Sequence, residues 1–215
     1  MTAVPAAVPA PARLVGRAST TRTALLAAAR RVFTSSGFAE ASIAEVVAGA
    51  GASVGSLYHH FGGKAELYLA LFEDHQQRQE ARAVAAVRSA AAEGEDDPVA
   101  LFVAGSRAYL DGCWAERDLA RLFLAGGGPP GFELVARRRY REWTRRNAVL
   151  LNSAGNSSGD GTEPWGDALV LVLTTVVSEA GHEVAVCEDA EAACRLAGDV
   201  LELIGRIGRP GGSTG

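Results

Sequence analysis

Residues 42–61 read SIAEVVAGAGASVGSLYHHF, and their spacing predicts two short helices joined by a tight turn. Ser42 and Glu45 stand in S-x-x-E order, a capping box that starts a helix at Ile43. Ile43, Val46 and Val47 fall at i, i+3 and i+4, which makes one face apolar. Ala50 and Gly51 end that helix, since glycine readily takes the positive φ common just past a helix C-terminus. Ser53 caps a second helix whose first turn holds Val54, Gly55 and Ser56. Leu57 and Phe61, four apart, face inward. Val54, Ser56, Tyr58 and His59 face outward, and Gly55 permits a close backbone approach. This is the layout of a helix-turn-helix, whose second helix lies in the DNA major groove.

The flanks agree. Residues 19–36 are expected to form a helix with Leu25, Ala29, Val32 and Phe33 as its core stripe and Gly37 as its stop. A three-helix head then closes around Leu26, Val32, Phe33, Ile43, Val46, Leu57 and Phe61. The chain as a whole carries a net charge of −4, which does not suggest a partner for nucleic acid. Its distribution does. Residues 1–64 hold six basic and two acidic groups, a net +4, so the remainder carries −8. A basic head on an acidic body directs the head at phosphates.

Residues 17–72 resemble the DNA-binding end of the tetracycline-repressor (TetR) family. That family carries a helix started by Thr or Ser, an Ala-Gly-x-Ser turn, Gly-x-x-Tyr-x-His-Phe, and a lysine opening the next helix. Here stand Ser42, Ala50-Gly51-Ala52-Ser53, Gly55-Ser56-Leu57-Tyr58-His59-His60-Phe61 and Lys64, the only lysine of the chain. Two positions depart. Ala52 replaces a larger aliphatic residue, and Gly62-Gly63 replaces a more polar loop. The resemblance implies an all-α fold, with an N-terminal three-helix DNA-binding head and a larger C-terminal helical domain for ligand binding and dimerisation. The implied DNA-binding residues are Arg17, Arg22, Ser42, Ser53, Val54, Gly55, Ser56, Tyr58, His59, His60 and Lys64. Tyr58 and Lys64 would meet phosphates, as would the N–H groups at helix starts. Val54 and Ser56 would meet base edges, a methyl suiting thymine and a hydroxyl either role. Arg17 and Arg22 would reach backbone or minor groove. His60 either packs beneath its helix or touches DNA.

Organisation follows from breaks in the pattern. The Pro/Ala-rich residues 1–16 read as a disordered tail, 17–64 as the DNA-binding domain, 65–208 as the effector-binding and dimerisation domain, and 209–215 as a flexible tail. Helices are expected at 64–92, 98–112, 116–125, 132–152, 165–186 and 189–207, with a flexible loop at 153–164. The stretch LVLVLTTVV within 165–186 would pass for a buried strand by its β-branching. Trp165, Leu169, Val172, Val176 and Ala180 keep helical spacing, and no partner strand is present, so helix is the reading. The last two helices are apolar over more than one face, which asks for cover by a partner subunit. The resemblance implies a homodimer through residues 165–207, with Val176 and Leu201 expected at the interface.

Aromatic and polar residues of the middle helices, Phe102, Tyr109, Cys113, Trp114, Phe123, Trp143 and His182, are the expected lining of a cavity for an unknown small-molecule effector, against the plainer reading of ordinary core. No charged cluster is clearly placed to face inward, so an uncharged or weakly charged ligand is expected. The run RRRYREWTRR at 137–146 reads as a solvated helix face or a second nucleic-acid patch. No cofactor or metal is expected. His182, Cys187 and Cys194 are too sparse a ligand set, and three cysteines without C-x-x-C spacing fit free thiols in a reducing cytoplasm. Neither a signal peptide nor a membrane span is expected, the longest uncharged apolar run being 168–178. No P-loop, G-x-S-x-G or H-E-x-x-H is present, which argues against an enzyme. The rival readings are a helical enzyme or carrier with an incidental basic head, and an activator with the same DNA-binding end.

Overall fold

A computed structural model describes residues 12–124, 126–152 and 166–207. Among these the regular structure is helical and no strand occurs. The order is α1 (Ala12–Glu40), α2 (Ile43–Ala50), α3 (Val54–Phe61), α4 (Lys64–Ala92), α5 (Pro98–Ala115), α6 (Arg117–Leu124), α7 (Phe132–Leu151), α8 (Asp167–Val186) and α9 (Ala190–Ile207). The expected tail at 209–215, the loop at 153–164 and Trp165 lie outside the described residues, as do residues 1–11. Helix α1 takes in 12–16, which composition had assigned to the tail.

The chain divides into two compact units between Leu71 and Phe72 rather than at residue 64. The reason is aromatic. Fully buried Tyr68 meets Phe33 and Phe38 edge-on, with ring centroids 5.3 Å apart in each case, so the first two turns of α4 complete the head's core. Burial pushes the Tyr68 hydroxyl up to about 12, which keeps it neutral at any physiological pH.

Within the first unit, local chemistry sets each boundary. Gly37 (φ 72, ψ 176) interrupts α1. The Ser42 hydroxyl accepts from the Ala44 N–H at 3.2 Å, and Gly51 takes the left-handed conformation (φ 61, ψ 32) with its N–H turned back to Ala48 and Val47. The Ser53 hydroxyl accepts from the Ser56 N–H at 3.1 Å and starts α3. Leu25, Phe33, Val46, Leu57 and Phe61 are buried. Val32 and Ile43, expected in the core, are only half-buried.

In the second unit α5 packs on α8 and α9. Asp97 caps α5, and Pro98 occupies a first-turn position where its missing N–H costs nothing. Two apolar clusters form the core, one around Phe102, Leu173, Val177 and Ile204, the other around Leu110, Cys113, Val184 and Leu201. The LVLVLTTVV stretch is helical, and its fully buried Thr174 is satisfied by Asn147, whose Nδ2 donates to the hydroxyl at 3.1 Å. By length and composition alone α8 is apolar enough to cross a membrane. Its Val170, Leu173, Val177 and Val184 are instead buried in the protein core. Leu201 is buried there too, which corrects its expected place at a subunit interface, while Val176 is half-buried against the first cluster.

Candidate functional site

The outer face of the first unit is built by α3. Val54 and Tyr58 are about half exposed although apolar. Gly55 and His59 are exposed beside them, while Ser56 and His60 are half-buried. An added Cβ at Gly55 would meet nothing nearer than the Ser53 hydroxyl at 3.9 Å. The first turn of α3 is therefore open to an approaching backbone. His60 lies against Phe61 with ring centroids 6.3 Å apart and against His59 at 5.4 Å. Its ring is thus engaged with its own helix. Arg22 is exposed, its guanidinium 5.2 Å above the Phe61 ring. It covers the core with its stem and keeps its charge in water. Arg17 falls in the early turns of α1.

Lys64 is engaged inside the head. Its ammonium donates to the Ala39 and Ala41 carbonyls at 2.7 and 2.8 Å and stands 4.9 Å over the Phe38 ring. It thereby satisfies carbonyls between α1 and α2 that no helix bond reaches. Two of its three N–H donors are used in this way.

The second unit contains a cavity of about 970 Å³, near the upper end of the range for small-molecule sites. Phe102, Tyr109, Cys113, Phe123, Trp143 and His182 line it, six of the seven residues expected. Trp114 does not. Its ring is covered by the Arg117 guanidinium at 4.3 Å, so its indole is used to shield α6 rather than to hold a ligand. Gly181 shapes one wall: a Cβ there would stand 2.8 Å from the Tyr109 ring and 3.0 Å from the Cys113 sulfur. Burial pushes the Tyr109 hydroxyl well up and the Cys113 thiol up to about 12. Both are neutral hydrogen-bonding groups, not nucleophiles. The expectation that no charged cluster faces inward fails. Arg88, Arg137, Arg139, Arg141 and Arg146 all line the cavity, against Glu80. The run at 137–146 thus wraps round α7 as part of a wall. Among the described residues no three His, Cys, Asp or Glu gather as metal ligands.

Sequence reading missed the polar cluster beside this wall. Glu116, at the C-terminus of α5, accepts from His75 Nδ1 at 3.0 Å, Arg78 Nε at 2.8 Å and Arg82 Nη1 at 3.1 Å. Burial works to raise its pKa. The bonds from His75, Arg82 and Arg78 outweigh burial and hold the carboxyl well below its ordinary 4.5. An ionised carboxylate only accepts, so His75 carries its proton on Nδ1. With the folded pKa depressed, this stabilisation is present above the ordinary carboxylate pKa and drains away as pH falls below it. Glu116→Gln is expected to cost roughly 2–4 kcal/mol at neutral pH, since it strips charge from a mostly buried network whose arginines are partly solvated. Denaturation of both proteins against pH checks this, and the gap should close towards acid. A gap constant from pH 7 to 3 would assign the loss to packing instead.

Comparison with known proteins places both units. A family profile described as "Bacterial regulatory proteins, tetR family" matches residues 25–71. The HTH-type transcriptional regulator UidR of Escherichia coli K12 is 42% identical over 65 residues, 30% of this chain and 33% of UidR. The chain thus matches about a third of the length of this curated relative. The crystal structure of a TetR-family transcriptional regulator from Pectobacterium atrosepticum is similar over 88% of this chain and 94% of its own, at 26% identity and a TM-score of 0.61. A TetR-family structure from Syntrophomonas wolfei shares the fold over 91% of this chain and 98% of its own, at 15% identity and a TM-score of 0.69.

Proposed function

We propose that this chain, which belongs to the TetR family of bacterial regulatory proteins, is a ligand-responsive repressor that binds a palindromic operator as a homodimer in the cytoplasm. The observation that carries the DNA half is the capped, outward-facing first turn of α3. Val54 and Ser56 stand there to read base edges. Tyr58, His59, Arg22 and the remaining donor of Lys64 would hold the flanking phosphates, and Arg17, early in α1, is proposed for the same role. The Ser42 and Ser53 caps start helices whose N-terminal N–H groups suit further phosphates. For His60 the half-buried ring beside His59 and Phe61 supports packing its helix over touching DNA.

The effector half rests on the cavity. A ligand there would favour one conformation of the second unit and leave α4, the helix shared by both units, as the covalent route to the head. Two recognition helices must sit about one DNA turn apart, ~34–36 Å, so a shift of a few ångströms loses one half-site. The ligand acts only as far as it prefers the conformation with the wrong spacing. A helical enzyme is the rival, and it gains no nucleophile from the buried, neutral Tyr109 and Cys113; a carrier would use the same cavity but not the exposed first turn of α3. An activator would use the same contacts with DNA.

Electrophoretic shift with promoter fragments tests the reading, followed by release of the bound fragment with each compound that raises the melting temperature. Specific binding that such compounds abolish is expected. Compounds that stabilise the protein and leave DNA affinity unchanged would remove the switch but not the DNA binding.

A further inference from the structure

The cavity wall is electrically lopsided. Arg139 and Arg146 are neutralised in place. Arg139 meets Glu73 at 3.4 Å, Glu80 at 3.6 Å and Glu142 at 3.1 Å, and Arg146 meets Glu80 at 2.6 Å. Arg88, Arg137 and Arg141 also line the cavity and are exposed at its rim, yet among the described residues no carboxylate pairs with them. Arg137 and Arg141 are one helical turn apart on α7, so their guanidinium groups reach the same side. Behind this rim the chamber is lined by phenylalanines, Tyr109 and Trp143. By contrast Arg138 and Arg145, on the same helix, do not line the cavity. Arg138 pairs with Glu142 in solvent.

From this, and resting on the reading of the cavity as the effector site, we infer that the effector is an amphipathic anion. Its apolar body fills the aromatic chamber, and its carboxylate or phosphate head is held by Arg137 and Arg141, one turn apart on α7. Guanidinium forks match both head groups by paired N–H···O bonds. An uncharged molecule of the same shape would leave the rim arginines to water and forgo that attraction.

The test uses the full chain and three probes of one chain length, dodecanoate, dodecyl phosphate and dodecanol, below their aggregation limits. Tryptophan fluorescence reports occupancy through Trp143, which lines the cavity, with a Trp114→Phe/Trp165→Phe background to isolate its signal. One or both anions should bind at least about tenfold more tightly than the alcohol, with the advantage shrinking in high salt. Which anion wins identifies the head group. The double variant Arg137→Gln/Arg141→Gln should lose the advantage while still binding dodecanol. Arg138→Gln/Arg145→Gln, which removes as much charge away from the cavity, should keep it. Equal binding of anion and alcohol, or equal loss in both double variants, overturns the inference and leaves the effector cavity standing. Binding of none of the three, with the fold intact by circular dichroism, overturns the inference together with the cavity reading.

Discussion

Operator affinity is expected to fall by about 10³–10⁵ between 50 and 200 mM salt if a dimer makes ~6–10 phosphate contacts. The basic groups of the first 64 residues supply that many charges when two heads are counted. Single substitutions divide the effect by mechanism. Tyr58 is half exposed and Phe keeps its ring, so Tyr58→Phe should remove only a hydroxyl–phosphate bond, about tenfold in affinity per half-site, with the salt slope unchanged. Arg22→Ala should lower the slope by roughly 0.9 for each phosphate it meets. Lys64→Ala is the informative case, because its ammonium already holds the Ala39 and Ala41 carbonyls. A fall in affinity with a shallower slope assigns it to phosphate. A fall with the same slope and a lower melting temperature assigns it to the turn between α1 and α2. Val54→Ala and Ser56→Ala should instead change which bases are preferred, by about 1–3 kcal/mol for each lost contact. A flat salt profile in the parent protein would sink the whole assignment.

The head was legible because its information is local. Ser53 caps a helix three residues on, Gly51 needs no partner to turn left-handed, and Leu57 and Phe61 declare a face by their spacing alone. The helices of the second unit were legible for the same reason, down to the LVLVLTTVV stretch. What stayed hidden depends on residues far apart in the chain. Lys64 reads as a surface cation until Ala39 and Ala41 are beside it. Glu116 sits 41 residues from His75 and 34 from Arg82, and nothing in its neighbourhood announces three donors. Trp114 shares the spacing of the cavity aromatics but is claimed by Arg117, three residues on. The arginines of α7 flank the face of Tyr140, Trp143 and Asn147 on both sides, so spacing does not say which of them reach the cavity and which stay in solvent. Spacing sets Leu201, on one stripe with Ala193, Ala197 and Ile204, apart from Leu203, but does not say whether that stripe faces the chain's own core or a partner subunit. Only packing reveals that one is core and the other is not.

That last distinction gives a sharp test of assembly. Helices α8 and α9 pack on each other, and each leaves apolar residues in water, Leu171 and Val172 on α8 and Leu203 and Ile207 on α9. Leu203 and Ile207 are one turn apart, as a helix pairing with a symmetry mate requires. In a two-fold interface each substitution occurs twice, so one charge is placed against its own copy or against apolar surface. Leu203→Arg is expected to weaken the dimer by ~3–5 kcal/mol, a factor of roughly 10²–10⁴ in the dissociation constant. Sedimentation should then show monomers where the parent is dimeric at micromolar concentration. Helical content and monomer melting should be retained, since Leu203 contributes to neither core cluster. Leu201→Asp makes the contrast: a charge in the buried second cluster should unfold the unit rather than split the dimer. Operator binding should fall in Leu203→Arg despite an untouched head, because a monomer reads one half-site only. A parent protein that sediments as a monomer, or a Leu203→Arg variant that remains dimeric, would place the partner surface elsewhere.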